Sequence, residues 1–210
     1  MKAYFDEQAN QWDTEYRIKR ARRISDEIKK RVLFEPNNKV LEFGCGTGLI
    51  SMNLVDGIQQ ITCVDNSEGM LSILKNKIDK ELKEEKFIVE NDLFSENINK
   101  ESFDGIYSSM ALHHVKDIEK IGVQFNNLLK TNGKLCIVDL MPDDGTFHRN
   151  EPDFDGHNGF DPKELSGKYA KLGFREGYKN VFFSDVKKSE EKDFGYSLFI
   201  LVMFKEEEIL

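Results

Sequence analysis

The feature that most limits what this chain can fold into is a repeated alternation of two periodicities. Short β-rich runs occur at 39–44 (KVLEFG), 60–65 (QITCVD), 86–91 (KFIVEN), 103–109 (FDGIYSS) and 133–140 (GKLCIVDL). Between them lie stretches of helical spacing, such as Met70, Leu71, Leu74 and Ile78, or Ile118, Ile121, Phe125, Leu128 and Leu129. Strand, helix, strand, repeated, requires right-handed crossovers and a parallel sheet with helices on both faces. Near the carboxyl end VFFSDVKK and YSLFILVMFKE are joined only by the polar stretch SEEKDFG, which suits an antiparallel hairpin at the sheet edge. The expectation is a doubly wound α/β fold with a seven-stranded, mostly parallel sheet.

No linker, repeat or abrupt compositional change divides the 210 residues, so a single domain over 1–210 is expected, with 1–36 as an N-terminal helical cap. Within that cap, 15–34 interleaves Ile18, Ala21, Ile24, Ile28 and Val32 with lysines and arginines, an amphipathic helix whose basic face reads as solvated. Tyr4, Phe5, Trp12 and Tyr16 read as packing this helix on the sheet, with a second lid over a ligand as the alternative.

Between the first two strand-like runs stands VLEFGCGTGLI, with glycines at 44, 46 and 48. In a doubly wound sheet such a turn lets backbone approach a cofactor at the carboxyl strand ends. The spacing departs from GxGxxG, since Leu49 stands where the third glycine belongs, and no Gly-Lys-Ser/Thr follows to make a phosphate loop. A bland structural turn is the competing reading. Three acids share the rim: Glu42 before the glycines, Asp65 ending the second run and Asp92 following the third. Asp65 could be a helix cap, but Asn66 or Ser67 can do that work and leave its carboxylate for a ribose diol.

Taken in order, VLEFGCGTG, VDNSEGM, NDLF and SSMALHHV resemble the motifs of the class I S-adenosylmethionine-dependent methyltransferases, and FDEQANQWD is similar to the start of members related to ubiquinone and menaquinone biosynthesis. That resemblance implies a Rossmann-like sheet and S-adenosylmethionine as cofactor, leaving as S-adenosylhomocysteine. It places Gly44, Gly46 and Gly48 against the methionine part, Glu42 near its amino end and Asp65 on the ribose hydroxyls. Asn66 and Met70 would flank the adenine, Asp92 would accept from its amine beside Leu93, and Ser108 would lie near the methionine end. A cationic sulfonium and ammonium with no phosphate suits an acidic rim.

The acceptor side is read from histidines. His113 and His114 follow the fourth run, and His148 and His157 the fifth, so all four lie on carboxyl strand-end connections. They are the candidate catalytic bases, against the plainer reading of loop histidines that satisfy backbone groups. The second pair belongs to 141–160, long for a connection without periodicity and read as a substrate lid. It ends in Asp161, Pro162 and Glu164, a helix-start signal. His148, Asp153, Asp155 and His157 could ligate a metal, but their spacing matches no standard site and none is expected.

Composition narrows the partners. A net charge of −8 argues against nucleic acid and anionic membranes, and the absence of an Asn/Asp-Pro-Pro-aromatic turn after the fourth run argues against nucleobase amines. Cys45, Cys63 and Cys136 lie in apolar runs, so neither disulfides nor a thiol on the rim are expected. The N-terminus is too polar for a signal peptide, and SLFILVMF is too short to span a bilayer, which together point to the cytoplasm. A small-molecule methyltransferase is the leading reading. An NAD(P)-dependent oxidoreductase and a non-catalytic S-adenosylmethionine-binding partner protein are the alternatives.

Overall fold

The computed structural model describes residues 2–151, 154–188 and 193–207. Seven strands form one sheet: Lys39–Phe43 (β1), Gln60–Val64 (β2), Phe87–Glu90 (β3), Phe103–Ser109 (β4), Leu129–Leu140 (β5), Phe174–Lys187 (β6) and Phe194–Lys205 (β7). Their order is β3-β2-β1-β4-β5-β7-β6, with β1 to β5 parallel and β7 antiparallel to both β5 and β6. The Rossmann-like sheet expected from the alternation is the one observed.

Adjacent positions along each parallel strand feed opposite faces, as the pleat requires. Val40, Cys63, Tyr107 and Val138 pack on one side, against Ile24 and Ile28 of Glu15–Val32 (α2) and Leu71, Leu74 and Ile78 of Glu68–Glu81 (α4). Their neighbours Leu41, Val64, Ile106 and Ile137 pack on the other, against Phe125 of Ile118–Leu128 (α5) and Leu165 and Tyr169 of Pro162–Ala170 (α6). Both faces being covered explains why these strands read as continuous apolar runs. Each fully buried aliphatic contributes about 1.5–3 kcal/mol by leaving water.

Helix starts follow local chemistry. Thr14 caps α2, Ser67 caps α4, and Asp161 caps α6 by accepting from the amides of Lys163 and Glu164, with Pro162 in the first turn. A further helix, Lys2–Gln8 (α1), precedes α2, and the short helix Ser51–Leu54 (α3) follows the glycine turn. α1 has no buried residue, so no apolar stripe announced it in the sequence. No helix among the described residues is long and apolar enough to cross a membrane.

The strand order reverses at β1, which has β2 on one side and β4 on the other. That switch point opens a crevice at the carboxyl strand ends, where ligands of such sheets bind.

Candidate active site

A cavity of about 430 Å³ fills this crevice. Glu42, Gly44 and Gly46 line it from β1 and its turn, Asp65, Asn66 and Met70 from the end of β2, and Asp92 and Leu93 from the end of β3. Of the residues singled out for the cofactor, Gly48 and Ser108 are not on its wall.

The three glycines have different physical reasons, although each has positive φ. A Cβ on Gly44 would stand 2.2 Å from the Cβ of Ala111, and one on Gly48 would stand 2.3 Å from Leu74 Cδ1. These two let elements pack. A Cβ on Gly46 would meet only Trp12 Nε1, at 3.9 Å, so the space it leaves belongs to the cavity. Asp65 fixes this turn: its Oδ2 accepts from the Gly46 amide at 2.7 Å and its Oδ1 from the Ser67 amide at 2.9 Å. Burial raises the Asp65 carboxyl, and those backbone donors pull it partly back.

Glu42 lies deeper and is buried. It accepts from the hydroxyls of Ser51 and of Tyr107, the latter at 3.0 Å. Burial pushes its carboxyl up to about 8, the two hydroxyls acting in the opposite direction, so it is largely protonated at neutral pH. Alternation at the end of β4 leaves Ser108 off the wall and puts Ser109 on it; the Ser109 hydroxyl is buried without a partner.

The second wall comes from the N-terminal segment. Phe5 and Trp12 line the cavity, 5.5 Å apart edge to face, instead of only packing the helix on the sheet. Polar clamps explain the difference. Asp6 accepts from the Ser67 hydroxyl and the Gly69 amide, and Asp13 accepts from Thr47 and pairs with Lys77, tying the segment to α4 and the glycine turn. Tyr16 instead bonds Tyr196.

The basic face of α2 is also not wholly solvated: Arg17 and Arg20 line the cavity half-buried, and Arg17 stacks on Trp12 at 3.9 Å. Among the described residues neither has a carboxylate in ion-pair contact. Cys45 borders the cavity as well, because it sits on the turn and not within β1; burial raises its thiol.

The connection 141–160 folds back on the turn after β4. Its Asp143 accepts from the Gly145 and Phe147 amides, and its His157 amide donates to the His113 carbonyl at 2.7 Å. Three of the four histidines converge there. Ring centroids of His113 and His114 are 4.1 Å apart, and His148 lies 4.8 Å from His113 and 5.5 Å from His114. His114 faces the cavity beside Phe5, whereas His113 and His148 are buried behind it.

Burial depresses His114 to about 2, reinforced by His113 and His148, and His148 to about 3, reinforced by His113 and Lys187. Both stand as neutral rings. His157 packs on Phe160, outside this group. Of the remaining sequence-derived ligands, Asp155 pairs with Lys116 and Asp153 lies outside the described residues.

Asp139 was not among the candidates. Fully buried at the end of β5, it holds His113 Nδ1 at 2.5 Å and also accepts from the His113 amide. An acid inside the apolar run GKLCIVDL was the available signal, since an unpaired carboxylate is rarely buried.

Residues 41–137 match the family described as "Methyltransferase domain". An uncharacterized methyltransferase of Schizosaccharomyces pombe is 34% identical over 140 residues, which are 60% of this chain and 49% of that protein. The chain thus spans about half the length of this curated relative.

Among solved structures, a chain from the Haloferax volcanii complex containing the Trm112 methyltransferase activator superposes with a TM-score of 0.74 at 16% identity, covering 97% of this chain and 98% of that one. Phosphoethanolamine N-methyltransferase 2 of Haemonchus contortus, in complex with phosphomonomethylethanolamine and S-adenosylhomocysteine, gives 0.69 at 16% identity, covering 88% of this chain and 53% of that one. The family does not resolve the quinone-biosynthesis branch to which FDEQANQWD pointed. With its motifs in order on the expected strands and its sheet of the expected topology, the chain carries a methyltransferase-domain match over residues 41–137 and has the fold of the class I S-adenosylmethionine-dependent methyltransferases.

Proposed function

We propose that this protein transfers a methyl group from S-adenosylmethionine to a small molecule bearing an anionic group. The observation that carries the reading is the opposite character of the two cavity walls. One presents Glu42, Asp65 and Asp92, the other Phe5, Trp12, Arg17 and Arg20. The carboxylates of Asp65 and Asp92 suit a cationic nucleoside and would repel the pyrophosphate of a nicotinamide dinucleotide, while Glu42 offers a buried polar group. Two of the four lone-pair sites on Asp65 accept backbone amides, which leaves two for a ribose diol.

When bound, the cofactor supplies an electrophilic methyl group on a cationic sulfur. The chain's part is positioning and exclusion of water. Phe5 and Trp12 close the mouth, with the 1–36 cap and the 141–160 connection serving as lids. Arg17 and Arg20 hold the acceptor's acid group, and the neutral His114 ring lines the same side of the cavity. The acceptor bound to the Haemonchus neighbour, a phosphomonoester amine, supports a small anionic class. Three buried free thiols support a reducing cytoplasm.

Calorimetry with S-adenosylhomocysteine tests the cofactor half: we expect binding, and a loss of at least ~100-fold in Asp65→Ala, because two charge-assisted bonds disappear. Absence of binding to the wild type ends the reading. Methyl-group release is then measured over small carboxylates, phosphomonoesters, phenols, amines and thiols. Turnover confined to the anionic compounds supports the acceptor class. Binding without turnover on any of them favours the non-catalytic partner.

A further inference from the structure

We propose that His113, His114 and His148 form a binding site for a divalent transition-metal ion, with an exchangeable position open to the cavity. Their candidate ligand nitrogens all lie within 4.8 Å of one another. Metal–imidazole bonds of about 2.1 Å in a tetrahedron set nitrogens about 3.4 Å apart, so closure asks for side-chain shifts of about an ångström.

Two independent observations point to a ligand. His148 is only 4% exposed, yet neither of its ring nitrogens has a hydrogen-bond partner, and His114 Nδ1 is likewise buried and unpartnered. Burying such groups unsatisfied is costly, and a missing ion is among the few explanations. A packed aromatic box accounts for the stacking of His148 on Phe154 at 3.8 Å but leaves those nitrogens unexplained.

The second observation is Asp139. It holds His113 Nδ1 at 2.5 Å and engages the same residue's amide at 3.3 Å, turning Nε2 outward. A carboxylate on the far nitrogen is the usual support of a metal-bound imidazole, fixing its tautomer and raising its basicity. Among the described residues no carboxylate or thiol joins the cluster, so three imidazole nitrogens select zinc, copper, nickel, cobalt or iron over magnesium or calcium.

Three protein ligands leave a fourth tetrahedral position. Of the three, His114 is the one on the cavity wall, its ring 5.1 Å from that of Phe5, so that position faces the cavity. A water, or an oxygen, sulfur or nitrogen atom of a bound small molecule, would occupy it. The ion's occupancy is independent of the methyltransferase reading.

The test uses the full-length protein stripped with chelator and dialysed against Zn²⁺, with Co²⁺ as spectroscopic probe. One ion per chain and visible bands of tetrahedral, nitrogen-ligated cobalt are expected. His148→Ala should abolish uptake, and Asp139→Asn should weaken it about 10–100-fold, while His157→Ala, outside the cluster, retains it.

Circular dichroism verifies that each variant is folded. Should the Asp139 variant fail to fold, the wild-type cobalt spectrum and His148→Ala decide alone. No uptake by the wild type, or equal uptake by His148→Ala, overturns the site. S-adenosylhomocysteine titration of the same samples keeps that failure separate from failure of the cofactor assignment.

Discussion

The two walls of the cavity are built in different ways. The proposed cofactor wall is mostly main chain: turns after β1, β2 and β3, with Asp65 locking one turn to the next through backbone amides. Its functional residues sit within a few positions of strand ends. The proposed acceptor wall is made of side chains brought from distant segments, with Trp12 and Arg17 from the N-terminus and His114 after β4, the last packed on His148, which lies behind the wall on the connection after β5. The first design constrains local sequence tightly. The second leaves local sequence nearly free and depends on how loops dock.

The largest effect that would break this contrast lies in the glycines. Gly44→Val places a branched side chain against Ala111 at a φ of +72°, and should cost about 3 kcal/mol or more through clash and left-handed strain combined. Gly46→Val carries the strain, about 1–2 kcal/mol, without the clash. It should fold and lose cofactor binding, because the new side chain fills the cavity. Thermal melts and calorimetry on both variants check this, and equal stability of the two would refute the division of roles among the glycines.

That division also marks what the sequence could reveal. Strands buried on both faces announce themselves as apolar runs, so β1, β2, β4 and β5 were legible, apart from the start of β5 at Leu129, which continues straight from the end of α5; the edge strand β3 was legible from its β-rich run although Ile88 is exposed. β6 begins at Phe174, earlier than its apolar stretch at Val181, because as an edge strand its FREGYKN half is mostly exposed. The glycine turn and its acids were readable since a local turn dictates local residues. The convergence of His148 on His113 was not. It rests on a loop whose Gly156 passes against the His113 carbonyl, a contact of the folded chain that no short-range periodicity encodes. Arg17 and Arg20, one turn apart on α2, looked like any solvated helix face.

A smaller effect sharpens the electrostatics of the cofactor wall. The folded state keeps a proton on Glu42 up to about pH 8, whereas the unfolded chain releases it near the ordinary value of 4.5. Between those values the native state binds more protons, so its stability falls as pH rises, by at most about 1.4 kcal/mol per pH unit for one group. Below 4.5 the penalty vanishes; above 8 it is complete. Glu42→Gln should flatten this part of the profile in melts recorded from pH 5 to 8. A wild-type profile as flat as the variant's over that range would show that Glu42 is ionised in its pocket.

The smallest expected effect concerns the acceptor wall, where Arg17 is held by stacking on Trp12 and by a bond from its Nη1 to the Trp12 carbonyl at 3.1 Å. It therefore sits pre-oriented in the cavity, partly desolvated and, to a lesser degree, repelled by Arg20, both of which lower its affinity for its own proton. An anionic group between the two guanidiniums would relieve that repulsion, and a charge-assisted bond of this kind contributes about 1.5–3 kcal/mol. Arg17→Ala should raise the KM for an anionic acceptor about tenfold, near the lower end of that range, while S-adenosylhomocysteine affinity changes little. Because removing Arg17 also frees Trp12 to move, Arg17→Lys serves as the companion: it keeps charge but loses the planar stack, and should recover part of the KM. If both variants weaken cofactor and acceptor equally, the two walls are one binding surface, and their separation into a backbone-built and a side-chain-built half is wrong.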